Sequence, residues 1–116
     1  MSKEFLEFRE IVLKRCSGYC EKCGKQLGES WALHHRKLRS RGGKDAVSNF
    51  VALHHDCHNM GTNSVHFNPR KSEQAGLMVA SWQNPDDVPL ILPSGDTVLL
   101  QDDGSYRYLE RKENGW

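Results

Sequence analysis

Residues 31–40 read WALHHRKLRS and residues 51–60 read VALHHDCHNM. Each stretch contains two adjacent histidines, and together they hold five of the six histidines in the chain. Both stretches begin like a β-strand, along which neighbouring side chains point to opposite faces. A hydrophobic core would need only one residue of each pair on its side. The repeated pair therefore predicts a chemical role for histidine on both faces.

The composition predicts a small core that needs additional stabilisation. The chain has 116 residues, which favours one domain with at most a small appendage. Hydrophobic residues make up 37% of it, whereas globular chains usually have about 45–50%. Domains of this kind are often stabilised by a disulfide, a metal ion or an oligomer, and four cysteines are present.

The net charge of +1 hides an uneven distribution. Residues 1–72 carry thirteen Lys and Arg against seven Asp and Glu, whereas residues 73–116 carry three against eight. The difference is +6 for the first part and −5 for the second. The first part can face a polyanion such as a nucleic acid, and the second is poorly suited to do so.

Hydrophobic periodicity predicts an α+β chain. An amphipathic helix is expected within residues 2–16, with acids early and bases late, as the helix dipole favours. Strands are expected within 31–38 and 49–53, and a short helix begins within 54–60. Residues 68–76, NPRKSEQAG, predict a second helix that begins after an Asn-Pro pair and ends at glycine.

The acidic C-terminal part predicts a small antiparallel meander. Three runs have β-type composition, and the turn sequences PSGD and DDG separate them. The runs are Val88–Leu92, Thr97–Gln101 and Ser105–Leu109. We therefore expect a main domain at 1–76 and an acidic β extension at 77–116 that is packed on it or tethered to it.

The cysteines have the spacing of a structural zinc site. Cys20 and Cys23 are two residues apart and are followed by a glycine, and His54 and Cys57 repeat the gap. Three thiolates and one imidazole complete a tetrahedral Zn²⁺ site. Cys16 lies four residues before Cys20 and is the alternative to His54, although the end of an apolar-faced helix also suits a buried thiol.

These motifs together resemble the zinc-containing HNH endonucleases, a family with a ββα-metal (His-Me finger) core. The resemblance covers about residues 16–60 and rests on C-E-K-C, L-H-H-R, G-G and N-F-V-A-L-H-x-x-C-H. Family members usually have Cys at the position of His54 and often have Asp at that of His34. The segment 65–90 is in addition similar to small free-standing HNH proteins of bacteriophages.

The resemblance implies a role for each member of the site. His34 and His58 would bind a catalytic divalent ion (Mg²⁺ or Mn²⁺, with Ni²⁺ or Zn²⁺ as alternatives), and His66 is a third candidate ligand. His35 would be the general base, and Asn49 would orient its imidazole. Adjacent histidines suit this chemistry, because a base with a pKa near 6.5 must accept a proton without being bound by the ion.

The segment after the first strand is rich in basic residues and predicts contacts to DNA phosphates. The candidate DNA-binding residues are Arg36, Lys37, Arg39, Arg41 and Lys44. Because no sequence-reading helix is recognisable, we expect weak sequence preference. A single dominant recognition sequence among cleavage sites on unrelated duplexes would contradict this.

The sequence thus predicts a metal-dependent endonuclease acting on double-stranded DNA. The alternatives are a non-catalytic zinc-knuckle DNA-binding module and an accessory protein of phage packaging, with packaging proteins as partners. No apolar run is long enough for a membrane span and the N-terminus does not resemble a signal peptide. The expected location is therefore the cytoplasm, that of the bacterial host if the chain is phage-encoded. Strand specificity, oligomeric state and a role for His55 stay open.

Overall fold

The structure, a computed structural model, describes residues 2–112. It combines helices and antiparallel sheets, which confirms the predicted mixed α+β class. Its helices and strands are α1 (Lys3–Arg15), β1 (Ala32–His35), β2 (Phe50–Leu53), α2 (Pro69–Ala75), β3 (Leu90–Ile91), β4 (Thr97–Leu100) and β5 (Tyr106–Glu110). Positions 113–116 of the predicted extension lie outside the described residues.

Helix α1 forms where its periodicity predicts. The Ser2 hydroxyl accepts a hydrogen bond from the Phe5 backbone N–H at 3.1 Å and so caps the helix N-terminus. Phe5 and Phe8 place their rings 6.4 and 5.3 Å from that of Phe50. Val12, also on this face, is fully buried. These contacts fix α1 against β2.

Strands β1 and β2 form an antiparallel hairpin in which His34 lies opposite Val51 and His35 opposite Phe50. All four residues of β2 are buried. In β1, His34 is buried whereas His35 is only half-buried. The two histidines therefore have different surroundings, as the alternation of a strand requires.

The hairpin is closed by a long connection and followed by a short helical segment. Two 3₁₀ turns, Arg39–Arg41 and Val47–Asn49, lie within the connection. After β2 the chain forms a single π-helical turn, Asp56–Met60. The predicted short helix at 54–60 is thus present as one turn of π-helix.

Helix α2 has the predicted ends: Asn68 precedes it, Pro69 is its first residue and Gly76 follows it in the left-handed conformation. A Cβ at Gly76 would lie 1.9 Å from the carbonyl oxygen of Pro89, so only glycine fits there. The chain then passes a 3₁₀ turn, Pro85–Asp87, and enters the sheet β3-β4-β5.

The sheet β3-β4-β5 is antiparallel throughout, as the three β-type runs predict, although its strands are shorter than those runs. Leu90, Val98 and Leu100 from this sheet are fully buried and belong to the same hydrophobic cluster as β2. None of the helices within residues 2–112 has the length and apolar composition needed to span a bilayer.

Candidate functional site

Four predicted zinc ligands converge at one end of the hairpin. Cys20, Cys23, His54 and Cys57 bring one ligand atom each to within 4.8 Å of the others, so this group can hold a metal ion. Nδ1 of His54 lies 3.3 Å from Sγ of Cys23 and 3.9 Å from Sγ of Cys57. Its Nε2–H donates to the Gln26 carbonyl at 2.6 Å, which leaves Nδ1 as the ligating nitrogen.

The surroundings of Cys20 favour a thiolate. Burial raises the pKa of this thiol, but hydrogen bonding from Cys23, His54 and Lys22 outweighs burial and lowers the pKa to about 7. The backbone N–H groups of Lys22 and Cys23 each lie 3.5 Å from its sulfur. Because thiolates are the form that binds Zn²⁺, the donor set fits a structural zinc ion.

Cys16 lies apart from this group. Its side chain is buried, and its thiol contacts the Leu13 carbonyl oxygen at 3.5 Å. Burial raises the pKa of Cys16 and so favours the neutral thiol. His54 and Cys16 were the two candidates for the fourth ligand. The structure places His54, and not Cys16, beside Cys20, Cys23 and Cys57.

A second cluster consists of three histidines. His34, His58 and His66 bring one nitrogen each to within 4.8 Å of the others. Nε2 of His58 and Nε2 of His66 are 3.1 Å apart. The backbone N–H of His66 donates to the carbonyl of His58 at 3.2 Å, which holds the two residues together across an eight-residue loop.

The tautomer of His34 is set by a backbone contact. Its Nε2 lies 2.8 Å from the carbonyl oxygen of Leu77, which can only accept, so Nε2 carries the proton and Nδ1 has the free lone pair. Burial lowers the pKa of His34 to about 3, and that of His58 to about 4. Both imidazoles are therefore neutral, which is the form that binds metal ions.

His35 is held by an aspartate that the sequence reading missed. Its Nε2 lies 2.8 Å from Oδ1 of Asp45, and its ring packs against that of Phe50 at 4.6 Å. The hydrogen bond from His35, helped by Arg39, keeps the pKa of Asp45 below its usual value. An ionised Asp45 accepts a hydrogen bond from Nε2–H, so Nε2 keeps its proton and Nδ1 of His35 is the basic nitrogen. In the sequence Asp45 is the only acid between Glu29 and Asp56, and this alone does not indicate a contact with His35.

The structure places the Asn49 amide on the backbone of the loop after β1, and its role in orienting the imidazole of His35 stays a prediction. The Asn49 amide accepts from the Lys37 N–H at 2.7 Å and donates to the carbonyls of Lys37 and Lys44, at 3.0 and 2.9 Å. Asn49 therefore closes the loop 37–44, while Asp45, immediately after that loop, contacts the imidazole.

Arg36 is not available for DNA binding, which corrects its prediction. Its side chain is completely buried. The guanidinium donates to four carbonyl oxygens at 2.6–2.9 Å, those of Ser48, Gly76, Pro85 and Val88. Arg36 thus joins the hairpin to the segment after α2, and it has no surface from which to reach a phosphate.

The other four predicted DNA-binding residues have partly or fully exposed side chains. Arg39 pairs with Asp45 at 3.0 Å, and Arg41 lies 3.8 Å from Glu73. Lys37 donates to the Gln83 carbonyl at 3.0 Å, and Lys44 is exposed. These residues form a basic loop, residues 37–44, that starts two residues after His35.

The remaining histidine of the second pair lies outside both clusters. His55 is exposed, and its Nε2 is 2.9 Å from the hydroxyl of Ser30. The hydroxyl links the turn that carries His54 and Cys57 to the start of β1. This contact does not connect the imidazole of His55 to the cysteine cluster or to the histidine cluster.

One comparison with known proteins gave a match, to a family model that covers part of the chain. Residues 20–64 match the family described as HNH endonuclease. This segment contains both halves of the cysteine cluster, the hairpin and two of the three clustered histidines. The chain therefore carries an HNH endonuclease family domain. No curated protein and no solved structure gave a match.

Proposed function

We propose that this protein is a metal-dependent DNA endonuclease that hydrolyses phosphodiester bonds, by nicking or by cutting both strands. The observation that carries the proposal is that His34, His58 and His66 converge in space. The next residue after His34 is His35, whose imidazole is hydrogen-bonded to the Asp45 carboxylate. The family match adds that proteins of this kind act on DNA.

Two kinds of ion suit the two clusters. The three cysteines and His54 suit a structural Zn²⁺ ion. The three histidines suit a catalytic divalent cation, Mg²⁺ or Mn²⁺, and a set of neutral imidazoles also suits Ni²⁺ or Zn²⁺. When bound, such an ion supplies Lewis-acid stabilisation of the phosphate and the leaving oxygen.

The residues around the ion then have separate tasks. Nδ1 of His35 accepts the proton of the attacking water. Asp45 holds the other ring nitrogen and stabilises the imidazolium that forms, much as a carboxylate orients histidine in other hydrolases. Leu77 fixes His34 through its carbonyl, and Asn49 keeps the basic loop closed.

The hairpin followed by a helical turn supports a ββα-metal arrangement, in which one strand supplies His34 and His35 and the turn supplies His58. Double-stranded DNA is the proposed substrate, bound through the phosphates by the basic loop. By the resemblance to phage proteins, we further propose a phage origin, the cytoplasm of the bacterial host as location, and packaging proteins as additional partners.

The test is plasmid relaxation and linearisation with Mg²⁺, Mn²⁺ or EDTA, using the wild type, His35→Ala and His55→Ala. Removing the general base should lower the rate by about 10²–10⁴-fold, whereas His55→Ala should retain activity because His55 is a member of neither cluster. Zinc content and circular dichroism should be the same in all three proteins.

Equal cutting by the wild type and His35→Ala would show that His35 is not the base. Binding of DNA without cutting by any of the proteins would instead favour the non-catalytic binding module. A protein that neither binds nor cuts DNA would remove the nuclease proposal altogether.

A further inference from the structure

Arg36 is a buried cation without a carboxylate partner. Its side chain is inaccessible to solvent, and none of the ion pairs among residues 2–112 includes it. Removing a charge from water is costly, and hydrophobic residues of similar volume often stabilise a fold at least as well. The stability of the fold alone therefore does not explain why a guanidinium occupies this position.

The guanidinium gives a fixed direction to the carbonyl groups that it contacts. Its Nε donates to the carbonyl of Gly76 at 2.7 Å. That carbonyl and the N–H of Leu77 belong to one planar peptide group, and the Leu77 N–H donates to the Ser72 carbonyl at 2.8 Å. The peptide group between Gly76 and Leu77 is therefore held on both of its sides.

The next carbonyl along the chain is the one that orients a member of the histidine cluster. The Leu77 carbonyl oxygen lies 2.8 Å from Nε2 of His34. In the same peptide group, the Met78 N–H donates to the Ser72 carbonyl at 3.2 Å. Histidines that bind metal ions need such a partner, because it sets the tautomer and the ring orientation. Arg36 is thus one peptide group away from the contact that orients His34.

Further contacts join Arg36 to the same part of the chain. Its carbonyl accepts from the Val79 N–H at 2.8 Å. Nη1 donates to the carbonyl of Pro85 at 2.8 Å, and Nη2 donates to that of Val88 at 2.6 Å. Together with the contact to the first residue of this part, they hold the segment 76–88 beside β1 at several positions.

Resting on the histidine cluster as the metal site of the proposed nuclease, we propose that Arg36 is a positioning residue for that site. It holds the segment 76–88 so that the Leu77 carbonyl orients His34 toward the ion. All four hydrogen bonds of the guanidinium go to backbone carbonyls, so Arg36 acts on His34 through the chain. The segment 76–88 then belongs to the metal site, although the family match ends at residue 64.

The first experiment measures Ni²⁺ binding to the zinc-loaded protein by calorimetry. Arg36→Lys keeps the charge, but one ammonium group cannot replace a planar fork of five donors. Its affinity for Ni²⁺ should fall about tenfold, because losing an outer partner of a ligand costs about 10–100-fold. Its zinc content should stay unchanged. His58→Ala lacks one ligand of the cluster and provides the background.

Val12→Ala is the control for a general loss of stability. Val12 is fully buried on α1 and lies outside the contacts of Arg36. Its truncation should lower stability, as core truncations do, but should leave the affinity for Ni²⁺ within about twofold of the wild type. A purely structural role of Arg36 predicts instead that both variants lose affinity together.

Hydrogen exchange of the zinc-loaded wild type provides a second readout that requires no variant of Arg36. Ligand binding stabilises the elements to which its site is coupled. The N–H groups of Val79 and Val88 belong to residues that contact Arg36. Saturating Ni²⁺ should therefore slow their exchange more than that of the N–H groups of α1. If Arg36→Lys fails to fold, this experiment decides.

Three results would overturn the proposal. They are wild-type affinity for Ni²⁺ in Arg36→Lys, an equal loss of affinity in Val12→Ala, and exchange at Val79 and Val88 that Ni²⁺ slows no more than that of α1. In each case a wild type that binds Ni²⁺ and cuts plasmid DNA would leave the nuclease function standing. If the wild type bound no more Ni²⁺ than His58→Ala, the metal site would be wrong, and both proposals would fall with it.

Discussion

Arg36 and His35 are neighbours whose side chains have opposite surroundings, and the difference can be measured at the level of single residues. We expect Arg36→Ala to lower the free energy of unfolding by several kcal/mol, because four carbonyl oxygens lose their donor, two of them in buried hydrogen bonds and two in partly buried ones. Each such group costs about 1–3 kcal/mol. Urea unfolding is the measurement, with the exposed Arg70→Ala as a control that should change stability by less than about 0.5 kcal/mol.

An Arg36→Ala protein as stable as the wild type would contradict the structural role. If its affinity for DNA fell as well, Arg36 would have to be returned to the phosphate-binding group.

Asp45 should act on the chemical step through His35. We expect Asp45→Ala to lower kcat by between about tenfold and a hundredfold, because the imidazole loses the partner that sets its tautomer. KM should change little, and Asp45→Glu should restore part of kcat. Steady-state cleavage of a short duplex gives both constants, with Lys44→Ala as a control that should raise KM instead.

A loss confined to KM in Asp45→Ala would argue that Asp45 only shapes the DNA surface through Arg39.

The residue scale also shows what could be read from the sequence. Paired histidines and cysteines at short spacing identified both clusters, because ligand chemistry restricts residue type and spacing together. Arg36 was misassigned from its charge, although the alternation of a strand puts it on the same side as the buried His34. Asp45 could not be found in this way, since its contact with His35 depends on how a ten-residue loop closes.

At the scale of elements, the turns that carry the cysteines should depend on zinc. We expect about one zinc ion per chain in the wild type and in Cys16→Ala, and its loss in Cys57→Ala. Structural zinc contributes directly to folding, so Cys57→Ala should also unfold at a markedly lower temperature. Metal analysis and thermal denaturation provide the two measurements.

If Cys57→Ala retained zinc and Cys16→Ala lost it, the prediction would be wrong, and Cys16 rather than Cys57 would be the zinc ligand.

The helices were predicted closely and the strands less so. Helix ends are marked by local signals, such as the Asn-Pro pair before α2 and Gly76 after it. The ends of β3 and β5 depend on which backbone groups find a partner in the neighbouring strand, and that is decided by the packing of the whole sheet. The π-helical turn Asp56–Met60 had no distinct signal of its own.

On the scale of the whole molecule, a buried ion pair connects the C-terminal sheet to the HNH domain. Arg15 and Glu21 pair at 2.7 Å with both side chains 1% exposed, and the hydroxyl of Tyr106 donates to the same carboxylate at 2.5 Å. Arg36 makes a second connection between the two parts of the chain, because its guanidinium donates to the carbonyls of Pro85 and Val88. The division into 1–76 and 77–116 stays a prediction, and these contacts lead us to expect one cooperative unfolding transition.

Tyr106 should make this connection sensitive to alkaline pH. Burial and the nearby Glu21 carboxylate raise the pKa of Tyr106 above its ordinary value, which is about 10 in an unfolded chain. The folded state therefore keeps the proton longer, so its contribution is complete below pH 10 and is lost as the pH rises further. The loss approaches about 1.4 kcal/mol per pH unit.

Urea unfolding of the wild type and Tyr106→Phe between pH 8 and pH 11 tests this. The wild type should lose more stability above pH 10 than Tyr106→Phe, whereas Tyr108→Phe, whose side chain is exposed, should follow the wild type. Parallel curves for all three proteins would show that Tyr106 ionises as freely in the folded state as in the unfolded chain.

Cys57 and His58 are consecutive residues of the π-helical turn, yet they face different clusters. The backbone N–H groups of Val65 and His66 donate to their two carbonyls, so the loop that brings His66 back depends on the same turn. We therefore expect a fixed order of maturation, in which zinc must be loaded before the histidine cluster can take up its ion. A newly made chain in a zinc-starved cell would remain inactive however much Mg²⁺ or Mn²⁺ surrounds it.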